Sequence, residues 1–77
     1  MNNYKFNYYN GDAQRNEDFL LTHDKLFSQE ELKNIIIQIK NNGKRKDVYE
    51  VISLMVEMYG FKKLEFTYFQ LGSDYDF

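Results

Sequence analysis

Two helix start signals constrain this sequence more than any other feature. Ser28 precedes an amphipathic segment, and Glu31 follows three residues later. This is the spacing of a capping box, in which each side chain binds a backbone N–H at the other residue. The apolar residues that follow recur at the spacing of one helix face, at Leu32, Ile35, Ile36 and Ile39. The pattern predicts a helix over residues 29–42.

The second start signal is Asp47, with Glu50 three residues later. The segment VYEVISLMVEMY carries apolar side chains around most of its circumference and is followed by Gly60, a residue that readily ends a helix. We therefore expect a second helix over residues 48–59. Its narrow polar face predicts that it is the more buried of the two.

The N-terminal third has the patterning of a β-hairpin. In NYKFNYYN, aromatic residues alternate with mostly polar ones, which predicts a strand over residues 4–10. Asn10 and Gly11 favour a turn because both residues tolerate positive φ. The segment EDFLLTH then predicts a second strand over residues 17–23.

The C-terminal part predicts a third strand over residues 62–71. We expect one face of it, toward the helices, to carry Leu64, Phe66 and Tyr68. The open face of the sheet would then hold Tyr9, Phe69 and Leu71. Residues 72–77, with the sequence GSDYDF, form an acidic and aromatic tail.

The element order β-β-α-α-β predicts a single α+β domain over residues 1–77. We expect two layers, with a three-stranded, mainly antiparallel sheet covered on one face by both helices. The first strand has the longest aromatic alternation, so we place it in the middle of the sheet. A 77-residue chain without cysteine must be held together by its apolar residues, which make up 43% of it.

Composition argues against several functional classes. The net charge of −2 gives no general attraction to nucleic acid or to an anionic membrane. The longest aliphatic run, Ile35 to Ile37, is too short to span a bilayer. The first ten residues are polar and do not fit a signal peptide. We therefore expect a cytoplasmic protein with no membrane partner.

No catalytic or metal-binding signature is apparent. His23 is the sole histidine, and no nucleophile motif surrounds Ser28, the serine nearest to it in sequence. Asp74 and Asp76, even with Asp12, supply too few ligands and lack the glycine spacing of a calcium loop. We expect neither an enzyme nor a cofactor nor a metal site.

Acidic residues interleaved with aromatic ones suggest a protein-binding surface. Rings supply buried area at interfaces, and carboxylates around them favour a partner with Arg or Lys. In the tail, carboxylates could substitute for phosphates and rings for bases in a basic partner groove. The predicted partner-binding residues are Tyr9, Asp12, Glu65, Phe69, Asp74, Tyr75, Asp76 and Phe77.

Two alternatives remain open. A basic segment between the helices could contact phosphate in a nucleic acid, through Lys40, Lys44, Arg45 and Lys46. It could equally be a solvated loop beside the negative end of the first helix. In the other alternative, the chain is a structural module that forms a homodimer and buries Tyr9 and Phe69. Whether the chain is a monomer or a homodimer stays open.

In length, charge and composition, including its Asn-, Lys- and Ile-rich bias, the chain resembles small proteins of phages and mobile elements. Among these it is similar in style to anti-CRISPR proteins. That resemblance implies a small, non-enzymatic inhibitor that blocks the nucleic-acid-binding surface of a host machine. It rests on no motif and assigns no site residues.

Overall fold

The computed structural model describes residues 1–67 and 69–75. The elements are β1 (Asn2–Asn10), β2 (Arg15–His23), α1 (Gln29–Asn41), α2 (Val48–Tyr59) and β3 (Lys62–Lys63). The predicted α+β class and the β-β-α-α-β order are confirmed. Both hairpin strands are longer than expected, and α1 ends one residue before the predicted boundary.

The sheet is antiparallel with the strand order β1-β2-β3, so β2 is central. The expectation that the first strand lies in the middle is therefore wrong. A long alternation of aromatic and polar residues indicates that one face of a strand is buried. It does not indicate how many other strands pair with that strand. Where the chain returns beside β2, the His23 ring at the end of β2 lies 2.9 Å from the carbonyl of Tyr59 at the end of α2.

Both helices begin after the predicted cap residues, and the capping box is complete at Ser28, whereas at Asp47 one of its two bonds is formed. The Ser28 hydroxyl accepts from the Glu31 N–H at 3.2 Å, and the Ser28 N–H donates to the Glu31 carboxylate at 3.2 Å. The Asp47 carboxylate accepts from the Glu50 N–H at 2.9 Å. Gly60 ends α2 with a φ of 78°. These local bonds satisfy backbone groups that each helix end leaves bare.

One core lies between the sheet and the helices. Its buried residues are Leu21, Ile39, Val51, Ile52, Met55 and Phe61. Because α2 contributes three of them and α1 one, the prediction that the second helix is more buried is confirmed. Tyr4, Phe6 and Phe19 pack against this core from one face of the sheet, so both helices cover that same face.

Four rings surround the end of β2 and stabilise the return of the chain. Phe61 is 1% exposed and lies 4.8 Å from the His23 ring, 5.4 Å from Phe27 and 6.0 Å from Tyr4 between centroids. The Tyr4 hydroxyl accepts from the Phe27 N–H at 2.7 Å and donates to the carbonyl of Lys25 at 2.9 Å. This aromatic cluster fixes where β3 begins.

The third strand is much shorter than the predicted 62–71. Lys62 pairs with Thr22 and Lys63 with Leu21, and the Leu64 N–H donates to the Leu20 carbonyl at 2.9 Å. Cross-strand partners share a face of the sheet, so Lys63 points to the side of Leu21, where the helices lie. Leu64 is therefore directed to the open face.

The prediction that Leu64 faces the helices is wrong. Phe66 lies beyond the paired residues, where it lines a cavity with Ile52 of α2, and Tyr68 lies outside the described residues. Phe61 sets the register, and alternation from Phe61 places odd-numbered residues toward the core. If this pairing continued, the Glu65 carboxylate would lie opposite Phe19 in the apolar layer. Since a one-residue change of register exchanges the two faces, the pattern of residues 64–69 conflicts with the anchor that precedes it. Among the described residues, β3 ends at Lys63, and the bond from the Leu64 N–H to the Leu20 carbonyl is the last backbone contact with β2.

Candidate functional site

The C-terminal segment, residues 64–75, follows β3. Its first residues, Leu64, Glu65 and Phe66, line a cavity of about 220 Å³ together with residues of β2 and Ile52 of α2. Of its described residues, the large apolar ones are all exposed: Leu64, Phe66, Phe69, Leu71 and Tyr75. Phe69 is 78% exposed and Tyr75 is fully exposed. Single exposed apolar residues are common on protein surfaces, whereas large contiguous apolar patches are typical of interaction sites.

This segment brings together half of the residues predicted to bind a partner. Glu65, Phe69, Asp74 and Tyr75 all belong to it and are exposed. Asp76 and Phe77 follow in sequence but lie outside the described residues. The segment therefore combines rings and carboxylates as predicted, although as an extension beyond β3 and not as one of its faces.

The structure places Tyr9 and Asp12 on a different element. Tyr9 lies near the end of β1 and is exposed. Asp12 lies in the turn that follows, where its N–H donates to the Asn10 side-chain oxygen at 3.1 Å. The predicted surface is therefore divided between the hairpin end and the C-terminal segment.

The basic residues belong to the end of α1 and the connection to α2. Lys40 lies in the last turn of α1, while Lys44 and Arg45 are exposed. The ammonium group of Lys46 donates to the carbonyls of Asn42 and Lys44, the second at 3.2 Å. Lys46 therefore binds backbone carbonyls of its own loop, which agrees with the interpretation of this segment as a structural loop.

Three of these cations border a groove that the sequence did not predict. The cationic groove has a volume of about 670 Å³. Its apolar walls include Phe6, Tyr8, Phe19, Ile36, Val51 and Met55, and its polar rim carries Lys40, Arg45, Lys46, Asp47 and Glu50. It lies where the hairpin end, the last turns of α1 and the first turns of α2 diverge.

A sequence signal for this groove exists at Glu17. Glu17 pairs with Tyr8 and therefore lies on the face of the sheet that the helices cover. A carboxylate on that face indicates that the packed layer ends before the hairpin turn. The apolar residues nearest to it, such as Tyr8, are then left as groove walls.

A hydrogen bond holds α2 to the hairpin beside this groove. The Tyr49 hydroxyl donates to the Glu17 carboxylate, and the Tyr49 ring packs edge-on against Phe19 at 5.8 Å. The Arg15 guanidinium also binds Glu17, at 3.2 Å. The Tyr49 bond, and secondarily Arg15, hold the pKa of the Glu17 carboxyl below its ordinary value. The same bond raises the pKa of Tyr49.

His23 has a structural environment. Its Nδ1 accepts from the Lys25 N–H at 2.9 Å, and its Nε2 lies 2.9 Å from the Tyr59 carbonyl. Because a carbonyl only accepts, Nε2 carries the proton and both ring nitrogens are bound to backbone. The ring also packs edge-on against Phe27 at 4.9 Å.

Residues 1–67 and 69–75 contain no group of three or more His, Asp or Glu side chains placed to hold a metal ion. Within the same residues, none of the helices combines the length and apolarity that crossing a bilayer requires. Comparison with protein families, with curated proteins and with solved structures finds no match to this chain.

Proposed function

We propose that this chain is a non-enzymatic, protein-binding inhibitor or modulator of a nucleic-acid-handling host machine, in the manner of anti-CRISPR proteins. It acts through its C-terminal segment on a basic groove of the partner. One observation carries the proposal: large apolar side chains are exposed along the segment that follows the last strand. An exposed run of this kind costs solubility unless a partner covers it.

The chemistry of the segment fits a surface built for nucleic acid. Aromatic side chains such as Phe69 and Tyr75 can occupy the positions in which such surfaces stack bases. Asp74 and Glu65 can take the positions of phosphates beside Arg and Lys of the partner. The rings would supply most of the affinity, and the carboxylates would increase the association rate and orient the encounter.

The test is a comparative capture from a nuclease-treated extract of the cells in which the protein occurs. Wild type is compared with a Phe69→Ala/Tyr75→Ala variant and with a matched control, Leu26→Ala/Met58→Ala. The control also removes two exposed apolar side chains, but from outside the segment. We expect wild type and control to retain the same nucleic-acid-binding protein, and the segment variant to lose it.

The retained protein is then assayed for binding to its nucleic acid. Added wild type should reduce that binding, and the segment variant should not. If the segment variant captures the same proteins as wild type, the C-terminal segment is not the binding element.

A second function, direct binding of nucleic acid, is favoured by the cationic groove. Lys40 and Arg45 border the same cavity as the Tyr8 ring, and a cationic channel with a ring is the arrangement used to bind single strands. Gel shifts with single- and double-stranded DNA and RNA test it. Retention that is salt-sensitive and lost in a Lys40→Gln/Arg45→Gln variant would support this function. Absence of retention at low salt would contradict it.

A further inference from the structure

We infer that the cationic groove binds the C-terminal segment of a second copy of this chain, which lies as an added strand along β1. This assigns a protein occupant to the groove, which the inhibitor function proposed above does not use. It relies on the same C-terminal segment, so its test must separate the two.

The outer edge of β1 is available for pairing. All nine residues of β1 pair with β2 on one side, and within the described residues the sheet has no strand on the other side. The bond from the Leu64 N–H to the Leu20 carbonyl fixes the direction of the backbone groups. Since successive residues of a strand direct these groups to opposite sides, those of Phe19 point toward β1 and those of Asn7 point outward. Asn7 lines the groove.

An extended peptide in the groove can therefore form main-chain hydrogen bonds with β1. Addition of a strand to an exposed sheet edge is a common way to bind a peptide, with affinity from the backbone and specificity from pockets for alternate side chains. Tyr8 and Phe6, on the groove side of β1, would form such pockets with α1.

The C-terminal segment has the properties of that peptide. Residues 64–69 alternate as a strand does, yet among the described residues after α2 only Lys62–Lys63 are paired as a strand. Their own register keeps them from extending along β2, because Glu65 would then face Phe19. Pairing with the edge of a different strand has no such constraint.

Charge and apolar surface are also complementary. The groove rim carries three cationic side chains against the two carboxylates of Asp47 and Glu50, and Asp47 already caps α2. The segment contributes Asp74, with Asp76 following in sequence. The volume of about 670 Å³ lies within the range of about 300–1,000 Å³ typical of ligand pockets, so exposed rings such as Phe69 can enter it.

A second copy fits better than the chain's own segment. The segment follows β3, whereas β1 is the strand at the opposite edge of the sheet. To pair with the outer edge of its own β1, the segment would have to cross a face of the sheet. Two copies related by a twofold axis can exchange segments reciprocally, which gives a closed dimer.

The experiment is sedimentation velocity over a range of protein concentrations. We expect wild type to dimerise. Reversal of groove charge in Lys40→Glu/Arg45→Glu, or of segment charge in Asp74→Lys/Asp76→Lys, should each weaken the dimer by about tenfold or more. In an equimolar mixture, the reversed groove of one variant can bind the reversed segment of the other, and the two unchanged elements still match. The mixture should therefore dimerise more tightly than either variant alone.

A Lys33→Glu/Lys62→Glu variant is the matched control for the groove variant. It makes the same change in net charge as Lys40→Glu/Arg45→Glu, but at residues that do not line the groove. It should dimerise as wild type does. Far-UV circular dichroism establishes that each variant is folded. A wild type that stays monomeric at every protein concentration overturns the inference. This includes a monomer whose groove binds its own C-terminal segment. A dimer that neither reversal weakens overturns it as well.

Failure here is distinguishable from failure of the proposed function. Groove variants should lose self-association but still capture the outside protein, whereas segment variants should lose both. A chain that captures the outside protein without self-associating contradicts only the occupant of the groove. A chain that self-associates but captures nothing contradicts only the proposed function.

Discussion

Two phenylalanines near the end of the chain should differ sharply in what they contribute to stability. Phe61 is 1% exposed and contacts three rings, while Phe69 is 78% exposed. Truncation of a buried Phe to Ala typically costs about 3–5 kcal/mol. A domain of this length has a total free energy of unfolding of about 4–12 kcal/mol, toward the lower end for so small a core.

Phe61→Ala should therefore leave the protein unfolded or only marginally stable. Phe61→Leu keeps an apolar side chain but loses the ring contacts, and it should cost about 1–2 kcal/mol. Phe69→Ala should change the free energy of unfolding by no more than about 0.5 kcal/mol. The contrast tests whether the fold ends at β3.

Urea denaturation followed by far-UV circular dichroism measures all three variants, at a protein concentration low enough to keep the chain monomeric. With a slope of about 1 kcal/mol per molar urea for a small domain, Phe61→Leu should lower the midpoint by about 1–2 M. Phe69→Ala should leave the midpoint close to that of wild type. A loss of more than about 1 kcal/mol in Phe69→Ala would refute the reasoning, because it would mean that the segment packs on the domain.

Three further predictions concern the caps and the Tyr49 bond. Ser28→Ala should cost about 1 kcal/mol in the same urea assay, and a loss near zero would mean that the capping box contributes nothing. Gly60→Ala should cost about 1–2 kcal/mol, since its φ of 78° is unfavourable for an L side chain and its Cβ would approach His23 to 3.4 Å; an unchanged midpoint would contradict this. Tyr49→Phe should raise the pKa of Glu17 in an NMR titration toward its ordinary value. Since the folded pKa of Glu17 is lowered, the associated stability is present above the unfolded pKa and is lost as pH falls through the folded one. The raised pKa of Tyr49 works in the opposite direction, and its stability is lost as pH rises through the folded pKa. A Glu17 titration that is the same in both proteins would rule out the bond.

The parts of the fold that the sequence predicted are those set by near neighbours. The capping box at Ser28 and Glu31 joins residues three apart, and the burial of α2 follows from its own apolar stripe. Such features are determined within one helical turn or along one element. They survive whatever the rest of the chain does.

The strand order and the register of β3 depend on contacts far apart in sequence. The pairing of β3 with β2 is accompanied by a bond between His23 and Tyr59, 36 residues apart. The register is set by Phe61, whose burial among Tyr4, His23 and Phe27 was not visible from the alternation of residues 64–69. A strong local pattern therefore predicted the wrong face.

The candidate site was predicted in part for the same reason. Exposed rings and carboxylates at Phe69, Asp74 and Tyr75 could be read from composition near the end of the chain. The groove could not, because it exists only where the sheet and helices diverge. Among single residues, Glu17 on the core-facing side of β2 was the available signal.

Site-specific cross-linking tests the central claim, that the C-terminal segment binds a nucleic-acid-handling protein, most directly. A photoreactive phenylalanine analogue is placed at Phe69 and, as a control, at Met58, which is 63% exposed on α2. In the cells of origin, we predict a cross-link from position 69, and not from position 58, to a protein that binds nucleic acid. No such cross-link from position 69, or equal cross-linking from both positions, would contradict the account.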